Sequence, residues 1–383
     1  MTFKTKDLLV DILSIPSVNG TSGEQQMAEY IQQLLSAAGI DSYLLPVSDT
    51  RSNVIAHIPG RNSTKTVIWN GHLDTVAYGD TSAWLTEPQQ PVVKDGRLYV
   101  RGSSDMKSGV AGMLAVLLQW QKEGRQPDCN ITLILTCDEE SGGTGAMAML
   151  GQGILERAEA FFIAEPTSLQ PCIAQKGCIW LQLDIKGKAS HGSYPQEGVN
   201  ALEEGFSLCS DLKSFIEQHQ HDILGTSTAQ ITMIEGGAAP NITPENARFI
   251  MDLRTVPGLS WSYIEQFINT WNDKARQRSN NLLNCEYKTL NKRDAVSVNE
   301  EDPWLHRLEK QIASLYPNLM STPVGLNFFT DASAFIKEND RAPMILFGPG
   351  EPDICHQPNE YVELAKYDQF LSIMDALFTQ DEE

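Results

Sequence analysis

Two short motifs carry the side chains with the clearest chemical meaning. His72 and Asp74 are separated by a single residue, and Glu139 and Glu140 are adjacent. Imidazole nitrogens and carboxylate oxygens are ligands for zinc, cobalt or manganese, and a carboxylate that binds no metal can move a proton. Either motif alone is weak, because a pair of glutamates is more often a solvated turn than a catalytic pair.

Further residues of the same types strengthen the interpretation. Asp105 lies within Arg-Gly-Ser-Ser-Asp-Met-Lys, Glu165 follows an apolar run, and His356 follows a Gly-Pro-Gly loop. A set of this size can hold two ions if one carboxylate bridges them. Two ions about 3.5 to 4 Å apart could activate water and polarise a carbonyl group. The joint pattern therefore predicts a hydrolytic metal centre.

Short β-rich runs must position these residues. The predicted strands cover 66–69, 131–136, 160–164 and 343–347. A candidate ligand follows each strand, directly or after a short loop, and a predicted amphipathic helix over 107–122 begins just after Asp105. Loops converge at the carboxyl edge of an open α/β sheet. We therefore predict an α/β fold, with a mixed sheet flanked by helices and the candidates at one edge.

The middle of the chain has a different pattern. Alternating runs predict strands over 178–185, 230–234 and 247–253, and the intervening stretches predict helices. This block is typical of a self-contained antiparallel α+β unit inserted into the first domain. The predicted domains are 1–176 and 291–383 for the two parts of the catalytic domain, and 177–290 for the insertion.

Composition excludes several classes of protein. The formal net charge is -20, which argues against binding to nucleic acid or to an anionic membrane. No run of about 18 apolar residues predicts a membrane span, and residues 1–20 lack the pattern of a signal peptide. The seven cysteines include no C-x-x-C pair. We expect a cytoplasmic protein with reduced thiols.

The motifs, in their order along nearly the whole chain, resemble those of a known enzyme family. They are His72-Leu-Asp74, Arg101-Gly-Ser-Ser-Asp-Met-Lys-Ser-Gly109, Asp138-Glu-Glu-Ser-Gly-Gly143, Glu165-Pro-Thr167, Ala189-Ser-His-Gly192 and Cys355-His-Gln-Pro-Asn-Glu360. Together they resemble the co-catalytic zinc family of aminoacylase and glutamate carboxypeptidase. The branch resembled most is acetylornithine deacetylase and succinyl-diaminopimelate desuccinylase. The resemblance implies a zinc-peptidase-like catalytic domain with an inserted lid and dimerisation domain.

The resemblance also implies a ligand set. Asp105 would bridge two divalent ions, with zinc expected first and cobalt or manganese as alternatives. One ion would also bind His72 and Glu165, and the other Glu140 and His356.

Two neighbouring carboxylates receive separate roles from the same resemblance. Asp74 would accept the second ring N–H of His72 and so orient the imidazole. Glu139 would be the general base and then the general acid.

Substrate contacts are implied for the inserted domain. His191 would stabilise the oxyanion, reaching the active site of a partner in a homodimer, although a solvent-facing loop histidine is the plain alternative. Arg254 would hold the substrate carboxylate, or else pair with Asp252. Asn241 would contact substrate, or else be a left-handed turn residue.

The family resemblance leaves the substrate open. Phe328 and Phe329 stand where desuccinylases have small polar residues, which favours a small N-acyl group on an amino acid. The expected function is removal of an N-acyl group, in arginine or lysine biosynthesis. The alternatives are a dipeptidase or carboxypeptidase acting on short peptides, and a noncatalytic binding protein.

Overall fold

The computed structural model describes residues 4–379. The chain divides into two compact units. The first unit runs to Ile173 and also contains Val298–Val324 and the chain from Thr330 onward, and the second contains Ala174–Ser297 and Gly325–Phe329. These borders differ from the predicted 176/177 and 290/291. The strands after residue 290 and a short late segment belong to the second unit, and no change in composition marks either of them.

The helices of the described residues account for much of both units. They are α1 Thr5–Leu13, α2 Gly23–Ala37, α3 Lys107–Glu123, α4 Thr144–Ala148, α5 Ala201–Ile216, α6 Trp261–Arg278, α7 Pro303–Leu315, α8 Ala332–Phe335 and α9 Leu364–Phe378. Among them, none combines the length and the apolar character that a bilayer crossing requires.

The strands are mostly short. They are β1 Asp41–Ser48, β2 Arg51–Ile58, β3 Asn62–His72, β4 Val92–Lys94, β5 Arg97–Tyr99, β6 Cys129–Thr136, β7 Ala160–Ile163, β8 Cys172–Gln175, β9 Gly177–Lys186, β10 Gln220–His221, β11 Gly225–Thr226, β12 Thr228–Gly236, β13 Asn246–Thr255, β14 Asn284–Arg293, β15 Val296–Ser297, β16 Val324–Leu326, β17 Met344–Leu346 and β18 Tyr361–Glu363. Each strand predicted from an apolar run is present, with ends shifted by a few residues.

A mixed sheet organises the first unit. Its strands lie in the order β1, β2, β6, β3, β7, β17. Strands β6, β3, β7 and β17 run parallel to one another, and β2 is antiparallel to both β1 and β6. The predicted α/β class, a mixed sheet flanked by helices, is confirmed. The parallel strands end at the same edge, so that the residues after them share one side of the sheet.

Helix α3 packs closely on the centre of this sheet. Nearly all of its side chains are buried, including Val110, Met113 and Leu114. A Cβ atom added to Gly109 would lie 2.3 Å from the carbonyl oxygen of Ala164. Only glycine allows this approach. The start of α3, which follows Asp105, is therefore held beside the end of β7, which precedes Glu165.

The second unit contains a separate antiparallel sheet in the order β12, β13, β9, β14. Alternate residues of β9 and β13, such as Leu181, Leu183 and Phe249, join α5 and α6 in one apolar cluster. The other side chains of β13 are less buried, as are Trp180 and Asp184 of β9. This alternation is the signature of a sheet with one face covered by helices.

Candidate active site

The first unit gathers the metal-type residues at the carboxyl edge of its sheet. His72 is the last residue of β3, the Glu139 and Glu140 turn follows β6, and Glu165 follows β7. Asp105 lies two residues before α3. The strand ends thus deliver side chains that are far apart in sequence to one place.

Asp105 lies at the centre of this group. Its Oδ1 is 3.0 Å from His72 Nε2 and its Oδ2 is 3.3 Å from His356 Nε2. His356 Nε2 is also 2.9 Å from Glu140 Oε2. One ligand atom from each of His72, Asp105 and Glu140 lies within 4.8 Å of the others. Asp105 therefore offers one oxygen to each of two imidazoles.

Glu165 lies outside that group of three but acts on it through charge. Its side chain is buried, with a residue exposure of 3%. Burial raises the pKa of Glu165 well above its usual range, and the negative charge of Asp105 adds to this effect. Glu165 in turn raises the pKa of His72.

Carboxylates outnumber imidazoles in this cluster. Burial would lower the pKa of His72, but the Asp105 carboxylate raises it well above its usual value. Hydrogen bonds to Asp105 and Glu140 raise the pKa of His356 to about 10. Although burial opposes it, these imidazoles hold the pKa of Asp105 below its usual range. The site is electrostatically suited to bound cations.

The donor set also fits a metal ion. Glu140 Oε1 is buried and has no hydrogen-bond partner among residues 4–379. Buried carboxylate oxygens rarely stay without a partner unless an ion or water completes them. Imidazole nitrogens with carboxylate oxygens are the ligands that zinc and neighbouring divalent metals accept. The residues present therefore fit divalent cations.

Glu139 differs from its neighbour Glu140. Burial raises the pKa of Glu139 well above its usual value, and the charges of Glu165, Asp331 and Glu140 raise it further while His72 opposes them. No hydrogen bond to its carboxylate is found within the described part of the chain. A buried carboxylate with a raised pKa and no fixed partner is suited to take up and release a proton.

Asp74 holds the glutamate turn rather than the imidazole. The predicted partner of the His72 ring was the Asp74 carboxylate, but His72 Nδ1 lies 2.9 Å from the Asp74 backbone oxygen and 3.8 Å from Oδ1. The carboxylate instead accepts the backbone N–H groups of Glu139 and Glu140, each at 3.1 Å. The prediction was wrong about the atom, because two converging peptide N–H groups satisfy the carboxylate better than one ring N–H.

A network of ion pairs and hydrogen bonds also supports the turn that carries Glu139 and Glu140. Arg51 pairs with Glu24 and with Asp138, at 2.9 and 2.8 Å. Asn19 donates to Asp74 at 2.8 Å and to Asp138 at 3.0 Å. Sequence reasoning missed Asn19, Glu24 and Arg51, because they belong to early elements with no motif that marks them.

Asp331, two residues after Phe329, is a further buried carboxylate. It accepts hydrogen bonds from the Thr136 hydroxyl and from Asn70, whose Nδ2 lies 3.3 Å away. Burial raises its pKa. Asp331 thus ties the α8 segment to the ends of β3 and β6.

The remaining candidates lie in the second unit. His191 is exposed, and its Nδ1 accepts the Ser193 N–H at 3.1 Å. Asn241 is in a turn beside it, where its carbonyl accepts the Gly192 N–H at 2.8 Å. Asn241 is not among the residues with positive φ, so the left-handed alternative is wrong.

Arg254 makes the ion pair that was weighed as its plain alternative. Its Nε lies 2.9 Å from Asp252 Oδ1 and its Nη2 lies 3.1 Å from Oδ2. The side chain remains 30% exposed. The pairing satisfies part of the guanidinium and leaves the rest open to solvent.

Comparison with known proteins assigns the chain to a protein family. The profile of peptidase family M20/M25/M40 matches residues 68–380. The chain belongs to this family. It is accordingly a metal-dependent enzyme that hydrolyses amide bonds, and the binding-protein alternative falls away.

Relatives cover the M20 chain almost end to end. A protein named "Probable succinyl-diaminopimelate desuccinylase" from Staphylococcus aureus is 30% identical, with 97% of each chain covered. Among solved structures, a tripeptidase from Staphylococcus aureus has a TM-score of 0.77 at 19% identity, covering 98% of this chain and 97% of that one. A dinuclear metal-binding M20 peptidase from Bacillus subtilis has a TM-score of 0.72 at 14% identity, covering 97% and 96%. The structural likenesses establish the fold alone.

Proposed function

We propose that this M20 enzyme removes an N-acyl group from an amino acid and uses two divalent metal ions, with zinc as the expected metal. One observation carries the proposal. Asp105 directs one oxygen toward His72 and the other toward His356, beside a Glu140 oxygen that has no hydrogen-bond partner among residues 4–379. A bridging carboxylate between two imidazole-containing sites requires this arrangement.

The ligand roles are part of this proposal, and the short distances from Asp105 to His72 and to His356 support them. Asp105 would bridge the ions, with His72 and Glu165 on one side and Glu140 and His356 on the other. Bound there, the ions would lend Lewis acidity to the amide carbonyl and would acidify a water molecule. Cobalt or manganese could occupy the same nitrogen and oxygen ligands.

Glu139 is proposed to move the proton. Its carboxylate takes a proton from the attacking water as the new C–O bond forms, and it returns the proton to the amine nitrogen as the C–N bond breaks. The products are a carboxylic acid, which keeps the second proton of the water until it ionises, and a free amine. Asp74 keeps Glu139 in place by accepting its backbone N–H.

Substrate binding is assigned to the second unit. His191 is proposed to donate to the developing oxyanion. Arg254 is proposed to bind the α-carboxylate with the part of its guanidinium that Asp252 leaves free. Asn241 lies in a turn that pairs with the His191 loop, and it is proposed to contact the acyl amide.

The active form is proposed to be a homodimer in which His191 serves the partner. Strand β12 forms an edge of the second-unit sheet, and its side chains Met233 and Ile234 are 63% and 46% exposed. A long edge strand with exposed apolar residues is a surface that pairs with another strand. A second copy of this chain offers the matching edge. Met233→Glu should shift the protein from dimer to monomer in sedimentation measurements.

The acyl group is proposed to be acetyl or succinyl. The Staphylococcus aureus relative carries the name of a desuccinylase, whereas Phe328 and Phe329 favour a small acyl group. The products would be amino acids of the arginine or lysine biosynthetic routes. Cysteine usage supports a cytoplasmic location, because none of the seven cysteines, all within residues 4–379, forms a disulfide.

Peptide hydrolysis is the second candidate function. The Staphylococcus aureus tripeptidase shares the fold over nearly the whole chain, and peptide and acyl-amide bonds need the same hydrolytic step. A short peptide would use the same carboxylate-binding Arg254.

A substrate panel separates these functions. The metal-loaded protein is assayed for release of free amine from N-acetylornithine, N-succinyl-diaminopimelate, a dipeptide and a tripeptide. We expect one acyl amino acid to be cleaved much faster than either peptide. Equal rates on all four would contradict the acyl assignment, and no release from any of them would contradict the hydrolytic function.

A further inference from the structure

A buried ion pair behind the candidate metal centre has no role in the chemistry described above. Arg101 and Glu360 are 4% and 0% exposed, and Arg101 Nη1 lies 2.7 Å from Glu360 Oε2. Two buried charges lose their hydration, so such a pair is weak evidence for stability by itself. Its other hydrogen bonds indicate what it does.

Glu360 binds the backbone that carries Asp105. Its Oε1 accepts the N–H groups of Ser104 at 2.7 Å and of Asp105 at 3.0 Å. Hydrogen bonds from peptide N–H groups to a carboxylate are shorter and stronger than those between neutral groups. Glu360 thereby holds the loop before α3 by binding the backbone N–H of Asp105, whose side chain lies at the centre of the cluster.

Arg101 binds the backbone that carries His356. Its Nη1 donates to the Gln357 carbonyl at 3.2 Å, and its Nη2 approaches the His356 carbonyl at 3.5 Å. The planar guanidinium fork can serve these carbonyls and the Glu360 carboxylate together. One pair of side chains therefore joins the backbone of Asp105 to that of His356.

We propose that Arg101 and Glu360 are positioning residues that set the separation of Asp105 from His356 and thereby the affinity of the site for divalent metal. This inference rests on the proposed function, since it takes Asp105 and His356 as metal ligands. Groups that orient ligands without touching the ion typically change metal affinity by about 10- to 100-fold when altered.

The chain offers a matched control pair on the same small sheet. Arg97 and Glu363 lie opposite each other on β5 and β18, with Nη2 and Oε1 3.1 Å apart. Their side chains are 40% and 33% exposed. Their ion pair is of the same type, and its other partners found within residues 4–379 are Tyr99 and Tyr361, which are not candidate ligands.

The test measures metal affinity rather than turnover. Metal-free wild type, Glu360→Gln and Glu363→Gln are titrated with Co²⁺ in competition with a chromophoric chelator, and the visible spectrum of bound Co²⁺ is recorded. We expect Glu360→Gln to bind about 10- to 100-fold more weakly with an altered spectrum, and Glu363→Gln to match the wild type. Equal affinity and spectrum for folded Glu360→Gln would overturn the proposal.

Arg101→Lys keeps the charge but loses the fork, and it serves if Glu360→Gln does not fold. Weakened Co²⁺ binding by folded Arg101→Lys supports the proposal, and wild-type binding overturns it. If neither variant folds while Glu363→Gln does, the pair is a requirement of folding and the positioning role is wrong. If the wild type itself binds no Co²⁺, the proposed function fails, which is a separate outcome.

Discussion

Asp105 in the first unit and His191 in the second are held by different means. Asp105 faces two imidazoles through its side chain, and its backbone N–H is bound by a buried carboxylate. His191 lies on an exposed loop, and its ring accepts one N–H from two residues further on. Groups that hold ions need a fixed geometry, whereas groups that meet a substrate must be free to approach it.

Other candidate residues of the two units differ in the same way: those of the first unit are held by several contacts, and Arg254 of the second unit is more open. The Glu139 and Glu140 turn is fixed by Asp74, which Asn19 supports in turn. Arg254 pairs with Asp252 and stays partly open to solvent. We expect substitutions in the first unit to act on metal binding and proton transfer, and those in the second to act on substrate.

The largest expected effect is at the proton-moving group. Glu139→Gln removes the titratable carboxylate without removing a proposed ligand, so the rate of hydrolysis should fall by about 10²- to 10⁴-fold. The metal content should stay at the wild-type level by elemental analysis. Glu159→Gln, an exposed carboxylate near Lys65, is the control. A near-normal rate for Glu139→Gln would refute the proton-transfer role.

His191→Ala tests the exposed loop. Loss of one donor to an oxyanion should lower kcat by about 10²- to 10³-fold with metal content unchanged. His221→Ala is the matched control, because the His221 ring also accepts an N–H from two residues further on.

Mixing variants tests whether His191 acts on the partner. His191→Ala and Glu139→Ala chains are combined into confirmed mixed dimers, in which one active site regains both residues. We expect part of the activity to return. Mixed dimers as inactive as their parents would mean that His191 serves its own chain.

Asp74→Asn tests the support of the glutamate turn. The amide keeps one acceptor for two N–H groups and brings a donor toward them, so the rate should fall by about 10- to 100-fold. Measured KM should change little, since Asp74 touches no substrate in the proposal. A change confined to KM would contradict the positioning of Glu139 by Asp74.

Arg254→Ala should have the smallest effect. Loss of one charged hydrogen bond costs about 1.5 kcal/mol, which raises KM about tenfold with kcat little changed. Asp252→Ala, which frees the guanidinium, should not raise KM. If both variants behave alike, the ion pair is structural and Arg254 does not bind substrate.

Sequence patterns predicted the sheet edge well because strand ends and polar motifs coincide there. His72, Glu139 and Glu165 each follow an apolar run that forms a strand as predicted. The chemistry of the cluster depends on residue types that few other sites combine, which is why it could be inferred before the geometry was known.

The missed features depend on long-range contacts. Arg51 reaches Asp138 and Glu24 only after β2 joins the sheet, and Glu360 reaches Asp105 across 255 residues of sequence. The choice of acceptor for His72 was wrong because a backbone oxygen and a carboxylate of the same residue compete at short range. Packing in the folded chain decides which of the two oxygens accepts the ring N–H. The spacing of His72 and Asp74 in the sequence does not determine this choice.

The measurement that tests the central claim most directly is the number of divalent ions bound per chain. Metal-free wild type and His356→Ala are titrated with Zn²⁺ by calorimetry and checked by elemental analysis after gel filtration. We predict about two ions per wild-type chain and about one for His356→Ala, whose second site loses a ligand. A folded wild-type protein that binds no Zn²⁺, Co²⁺ or Mn²⁺ would contradict the account.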